Sequence, residues 1–229
     1  MKVTVLQEEL TKALSLASKF VNNKAQLPIL GNILFSTSGT KLYLSATNLE
    51  MSLSTSIGAK VDEEGEIAIP SRVVLELVGN LGKGQILLNA KKEKLKIEKD
   101  GFFADVLGVN TSDFPFIAKN LEGSLINFPT EEFLDVLSQI IFAVSEDQSR
   151  PVLTGVLFIF DKNKLTLVAT DGFRLSMRSM SLKENLPEGF SQKIILPKSS
   201  LSELVKIAAG TKEISFTYKK EENQVIFEV

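Results

Sequence analysis

Apolar residues fall at Leu10, Ala13, Leu14, Ala17 and Val21, and this spacing of three and four predicts a helix over residues 8–21 with one face against a core. Before it, Val3-Thr4-Val5 alternates as a strand does. After it, residues 27–37 and 41–57 read as strand segments with a turn at Gly39. A second helical stripe, Val74, Leu77, Val78 and Leu81, follows Pro70 and predicts a helix over 71–81. Three short strands come next, at 85–89, 95–99 and 102–109, separated by polar or glycine-containing turns.

The same pattern then returns. KLYLSAT at 41–47 recurs as KLTLVAT at 164–170, 123 residues on, and the same offset carries Pro28 to Pro151 and Leu14 to Leu137. The first helical stripe reappears as Phe133, Val136, Leu137, Ile140 and Val144. The second reappears after Pro197 as Leu201, Leu204, Val205 and Ala208, four residues further out of step. A period this long repeats a whole domain, so the chain is not a solenoid. Each full copy holds two helices and roughly eight strands, an α+β class with helices packed on antiparallel sheets. The polar stretch around Leu121-Glu122-Gly123-Ser124 divides the chain into domains 1–120 and 127–229. Copy two closes early: 214–218 and 224–229 match the first two strands after the second helix, and nothing matches 102–109. Such a sheet would expose an unpaired edge, so the expectation is that further residues follow Val229.

With 229 residues and 44% apolar composition, the chain can bury two ordinary cores. No apolar run approaches ~18 residues and the N-terminus alternates, which predicts a cytoplasmic protein with no membrane partner. There is no cysteine and no histidine. That removes disulfides, thiolate zinc sites, imidazole ligands and the serine–histidine triad; no catalytic residue, metal site or cofactor is predicted. Net charge is −2, from 26 basic and 28 acidic residues, so only local clustering could attract a polyanion.

The most informative difference between the copies follows the shared strand: Asn48-Leu49-Glu50-Met51-Ser52 in one, Asp171-Gly172-Phe173-Arg174-Leu175 in the other. Two readings stand for the second segment. It is a strand turning through Asp-Gly with Leu175 in the core, or a surface whose Phe, Arg and Leu bind a partner. Other segments carry less. Gly82-Lys83-Gly84 lacks P-loop spacing and reads as the turn closing the second helix. Asp62, Glu63, Glu64 and Glu66 read as a solvated acidic loop, and Asp113-Phe114-Pro115 as packing the end of copy one's last strand.

LPILGNILF at 27–35, ATNLEMSL at 46–53, DFP at 113–115, RPVLTGV at 150–156 and ATDGFRLS at 169–176 resemble, in order and over nearly the whole chain, the bacterial sliding clamp, the beta subunit of DNA polymerase III. The resemblance implies tandem DNA-clamp domains, the first two of the family's three. It also implies a processivity factor without catalysis, closed in its full length as a homodimer ring around duplex DNA. Lys24, Arg72, Gln148, Arg150 and Lys198 match family positions that meet DNA without reading its sequence. Lys12, Ser15, Lys19, Lys206 and Lys212 would face the hole. Leu153, Thr170, Gly172, Phe173, Arg174 and Leu175 match the pocket where a short linear motif of the replicative polymerase, clamp loader and repair proteins docks. Phe173 departs from the histidine or tyrosine frequent there. Glu131, Glu132 and Asp135 would repel phosphate, and the first two are expected at a helix start, where the macrodipole stabilises carboxylates. The rival readings are a duplicated protein-binding scaffold that never encircles DNA, and an enzyme using Ser, Lys or Asp chemistry at the 171–175 turn.

Overall fold

The computed structural model describes residues 1–22, 27–118, 121, 125–182, 186 and 192–229. The chain forms two compact units, Met1–Lys119 and Asn120–Val229. In the first, β1 (Lys2–Leu6) leads into α1 (Gln7–Ala17), and β2 (Asn32–Ser38), β3 (Lys41–Thr47), β4 (Ser52–Gly58), β5 (Lys60–Glu63) and β6 (Glu66–Pro70) follow. Then come α2 (Ser71–Gly79), β7 (Gln85–Lys91), β8 (Lys94–Lys99) and β9 (Phe102–Leu107). They build two antiparallel sheets, ordered β5-β1-β7-β8-β9 and β4-β3-β2-β6. Leu10, Ala13, Leu14 and Ala17 of α1 are buried, as the stripe predicts; α1 packs against α2, β3 and β4, and Val74, Val78, Ile33, Phe35, Leu42 and Leu44 are buried with them.

The second unit follows the same order, without counterparts of β5 and β9 among its described residues: β10 (Ile126–Pro129), α3 (Thr130–Ile141), β11 (Gly155–Asp161), β12 (Lys164–Thr170), β13 (Leu175–Ser181) and β14 (Gln192–Pro197). It ends with α4 (Lys198–Ala208), β15 (Glu213–Lys219) and β16 (Gln224–Glu228). Its sheets run β13-β12-β11-β14 and β10-β15-β16. Here the core is aromatic. Phe128 stacks on Phe133 with ring centroids 5.1 Å apart, and Phe160 meets Phe216 at 5.0 Å. Glu131 and Glu132 occupy the first turn of α3, where the open N–H groups favour them. No helix among the described residues is long and apolar enough to cross a membrane.

Three expectations need correction. The first helix stops at Ala17, and Ser18–Phe20 tightens into a 3-10 turn. Ser18 Oγ donates to Ser15 O at 2.9 Å there, and Val21 is already extended. Strand does not begin at residue 27: Pro28–Gly31 is a 3-10 turn, held because Asn32 Nδ2 donates to the carbonyls of Pro28 (2.9 Å) and Ile29 (3.2 Å). The acidic stretch is not a loop throughout. Residues Lys60–Glu63 form β5, an edge strand paired with β1, and Asp62 lies 4.0 Å from the ammonium groups of both Lys2 and Lys60. Charge on such an edge discourages pairing with another chain.

Candidate partner turn and charged cleft

The connection from β12 to β13 closes on its own polar groups. Asp171 Oδ1 accepts the N–H groups of Phe173 (3.0 Å) and Arg174 (2.9 Å), while Thr170 Oγ1 accepts the N–H of Gly172 (3.1 Å) and donates to Arg174 O (2.7 Å). Gly172 takes φ +92°, a conformation that side chains resist. The N–H groups of Arg174 and Phe173, with the Arg174 guanidinium, hold the Asp171 carboxyl below the usual carboxylate range. So built, the turn leaves the Phe173 ring 98% exposed.

Arg174 is tied down rather than offered. Its Nε donates to Asp171 Oδ2 (2.9 Å), its Nη2 to Phe142 O (3.0 Å), and the guanidinium lies 5.4 Å from the Phe142 ring centre. It braces the turn against the end of α3, and Ser176 Oγ adds a bond to Gln139 O at 2.7 Å. With Ser176 toward α3, the period of two sends Leu175 and Met177 to the opposite face, 65% and 61% exposed. Leu175 lies opposite Thr170, Met177 opposite Val168, Val168 opposite Leu157, and Leu157 opposite Ile195. Residues directly opposite share a face, so these side chains form an apolar stripe across the outside of the sheet. The reading that buried Leu175 is therefore overturned. Leu153 is half-buried in the turn before β11, its N–H bonded to Arg150 O at 2.9 Å and its carbonyl accepting from Ser145 N–H at 2.9 Å.

Beside the turn opens a cleft of ≈ 390 Å³, walled by Phe142, Glu146, Asp147, Arg150, Asp171, Phe173, Arg174 and Lys198 among others. Lys198 Nζ lies 3.4 Å from Glu146 Oε1, and Arg150 Nε 4.0 Å from Asp147 Oδ2. The Ser149 hydroxyl and N–H hold the Asp147 carboxyl below its usual range, with Arg150 assisting. Thus Arg150 and Lys198 share one wall system with Phe173 and Arg174. Gln148 is exposed on the same loop but does not line the cleft, and neither do Leu153, Thr170, Gly172 and Leu175. Arg72 sits in the other unit as the second residue of α2, exposed, with Glu76 Oε1 3.3 Å from its Nε. Lys24 lies outside the described residues. Lys12 and Lys206 are exposed on their helices and paired with Glu9 (3.0 Å) and Glu203 (2.5 Å). Among the described residues, no group of three or more acidic side chains is placed to hold a metal ion.

Sequence reasoning missed Phe142, Glu146, Met177, Val168 and Ile195. For Met177 a signal existed, since Leu175-Ser176-Met177 alternates; for Phe142 none did, because it lies one residue past the end of α3.

The family described as the DNA polymerase III beta subunit, N-terminal domain, matches residues 1–118, and its central domain matches residues 127–229. The chain belongs to the DNA polymerase III beta subunit family. The Beta sliding clamp of Chlamydia pneumoniae is 29% identical over 93% of this chain, which spans 58% of that relative's length. The solved DNA polymerase sliding clamp of Bacillus subtilis superposes with a TM-score of 0.92 at 24% identity, covering all of this chain and 62% of that one. The Helicobacter pylori beta clamp, solved bound to a DNA ligase peptide, superposes with a TM-score of 0.89 at 23% identity over 100% of this chain and 63% of its own. In the clamp fold so shown, the two units described above correspond in order to the N-terminal and central domains.

Proposed function

We propose that this chain supplies the first two domains of a sliding clamp, a non-catalytic processivity factor that encircles duplex DNA, tethers the replicative polymerase and docks clamp-loader and repair proteins. The observation that carries this reading is the exposed apolar surface of the second unit, Phe173 with the Leu175–Met177 stripe, on a chain matched in order by two beta-subunit domains. An apolar stripe beside a hydrogen-bonded turn suits a short peptide with apolar side chains, and the similar Helicobacter pylori clamp was solved bound to a DNA ligase peptide. Arg72, Arg150 and Lys198 are exposed or half-exposed cations suited to phosphate contacts that position without reading sequence. Encirclement makes tight contact unnecessary, which accords with a net charge of −2.

Ring closure as a homodimer, and a third domain after Val229, are parts of the same proposal. Among the described residues β9 is paired along one side only, with β8, and this open edge supports ring closure, because unpaired backbone groups invite a strand from another chain. The test loads the three-domain protein on nicked circular DNA with its loader and then linearises the circle. Release from the ends, with retention on the intact circle, is expected; equal retention on both would mean ordinary contact binding and end the clamp reading.

A further inference from the structure

Each of the three described cations assigned to DNA faces a carboxylate: Arg72 faces Glu76 at 3.3 Å, Arg150 faces Asp147 at 4.0 Å and Lys198 faces Glu146 at 3.4 Å. The first pair is an ordinary contact along one helix. The other two belong to the loop between α3 and β11, and they differ in construction. Asp147 is built in, its Oδ1 accepting the Ser149 N–H at 2.9 Å and its own N–H donating to Ser145 Oγ at 3.1 Å. Glu146 is not; its side chain is 89% exposed and reaches across to Lys198 at the start of α4. Exposed pairs of this kind add little to stability. They matter instead to an arriving anion, which meets a cleft whose Arg150, Arg174 and Lys198 are matched by Glu146, Asp147 and Asp171.

We infer that Glu146 and Asp147 are affinity-limiting residues for DNA: resident counter-ions that a phosphate must displace from Lys198 and Arg150. The inference rests on the proposed DNA role of those two cations. Its physical content is an exchange. A phosphate approaching Lys198 gains one ion pair while Glu146 loses one, and the displaced carboxylate stays nearby as a like charge. Contacts are thereby kept weak and quickly broken, as sliding requires, without removing the cations that keep the duplex centred. Both carboxylates can be neutralised with their shape kept, since Asn at 147 retains the oxygen that accepts from Ser149.

The test measures binding of a short fluorescent duplex to this chain by anisotropy at about 50 mM salt, where exposed charges are only partly screened. Glu146→Gln should tighten binding by about threefold to tenfold, with Asp147→Asn in the same direction. Glu221→Gln makes the same charge change in the β15–β16 turn, outside the cleft wall, and should move affinity less than about 1.5-fold. In a Lys198→Ala background the gain from Glu146→Gln should vanish. Equal effects of Glu146→Gln and Glu221→Gln, or weaker binding by Glu146→Gln, with Lys198→Ala still weakening, would overturn the inference and leave the DNA reading standing. Unchanged affinity in both Lys198→Ala and Arg150→Ala, or no binding by the unaltered chain and by Glu146→Gln alike, would instead remove the DNA role of this cleft and the inference with it. Circular dichroism of each variant separates these outcomes from misfolding.

Discussion

The turn after β3 and the turn after β12 are the same object built twice. Asn48 Oδ1 accepts the N–H groups of Glu50 (3.0 Å) and Met51 (2.8 Å), and Asp171 Oδ1 accepts those of Phe173 and Arg174. Thr47 Oγ1 accepts from Leu49 N–H and donates to Met51 O, as Thr170 does with Gly172 and Arg174. What changed is everything outside the backbone. Leu49 sits at φ +75° where the second copy has glycine, and Glu50 stands where Phe173 does. On the strand that follows, Ser52 and Ser54 occupy the positions of Leu175 and Met177. Ser52 bonds Thr47 Oγ1 at 2.8 Å and Ser54 lies 3.3 Å from Ser45 Oγ, so the first copy spends this face on its own hydrogen bonds. One scaffold was kept and its face changed: where the first copy pairs hydroxyls, the second displays the exposed apolar side chains of Leu175 and Met177, the difference on which the proposed docking role rests.

The sharpest way to break that comparison is to turn the second face into the first. Leu175→Ser with Met177→Ser should cost about 2–4 kcal/mol of binding to a clamp-binding peptide, since each apolar side chain buried on docking contributes about 1.5–3 kcal/mol. Calorimetric titration of the peptide against both proteins reads this directly. A loss under about threefold would mean that the stripe is not the docking surface. Next in size is backbone strain. Gly172→Leu puts a side chain at φ +92° and should destabilise the second unit by about 1–2 kcal/mol in urea denaturation, whereas Leu49→Gly relieves such strain and should be neutral or stabilising. Equal losses at both sites would show that the shared geometry does not govern the two turns alike.

Much of this was legible in the chain. The tandem repeat, all four helices and the place where the copies diverge follow from periodicity and from an offset that shifts only at the second helix, because core faces repeat wherever a fold repeats. Period two could not say which face of β13 is covered. β12 carries Leu165 and Leu167 into the core and Val168 outward, so both faces of that sheet are partly apolar, and Leu175 could have gone either way. Nor could sequence reveal that Arg174 is a brace. Its partner is the Phe142 carbonyl, 32 residues away, a backbone atom that every residue type supplies. β5 escaped for a related reason: its pairing partner β1 lies far off in sequence, at the start of the unit, and its charges mimic a loop.

A smaller effect separates the two threonines. Thr47 is buried and also receives the Ser52 hydroxyl, whereas Thr170 is half-exposed to water that can replace its bonds. Thr47→Val should therefore destabilise its unit by about 1–3 kcal/mol and Thr170→Val its own by about 1 kcal/mol or less. Thermal melts of the two variants compare them, and a larger loss at Thr170 would contradict this account of the faces.

The smallest difference is one atom type at the head of the turn, Asn48 against Asp171, and pH isolates it. The Asp171 carboxylate accepts the Arg174 and Phe173 N–H groups and faces the guanidinium, so its folded pKa lies below that of an unfolded aspartate. Its contribution is therefore fully present above about pH 4 and disappears as pH falls through the lower, folded value. Asn48 offers the same acceptor oxygen with nothing to titrate. The amide resonances of Phe173 and Arg174 should thus move together in acid with a midpoint below the ordinary carboxylate value, while those of Glu50 and Met51 show no matching titration of their own cap. Asp171→Asn should flatten the first pair and keep the turn, because Oδ1 still accepts both N–H groups, while releasing Arg174 Nε from its partner. Were the midpoint at or above the ordinary value, the charge would not be what steadies this turn, and the two copies would differ only in the side chains they display.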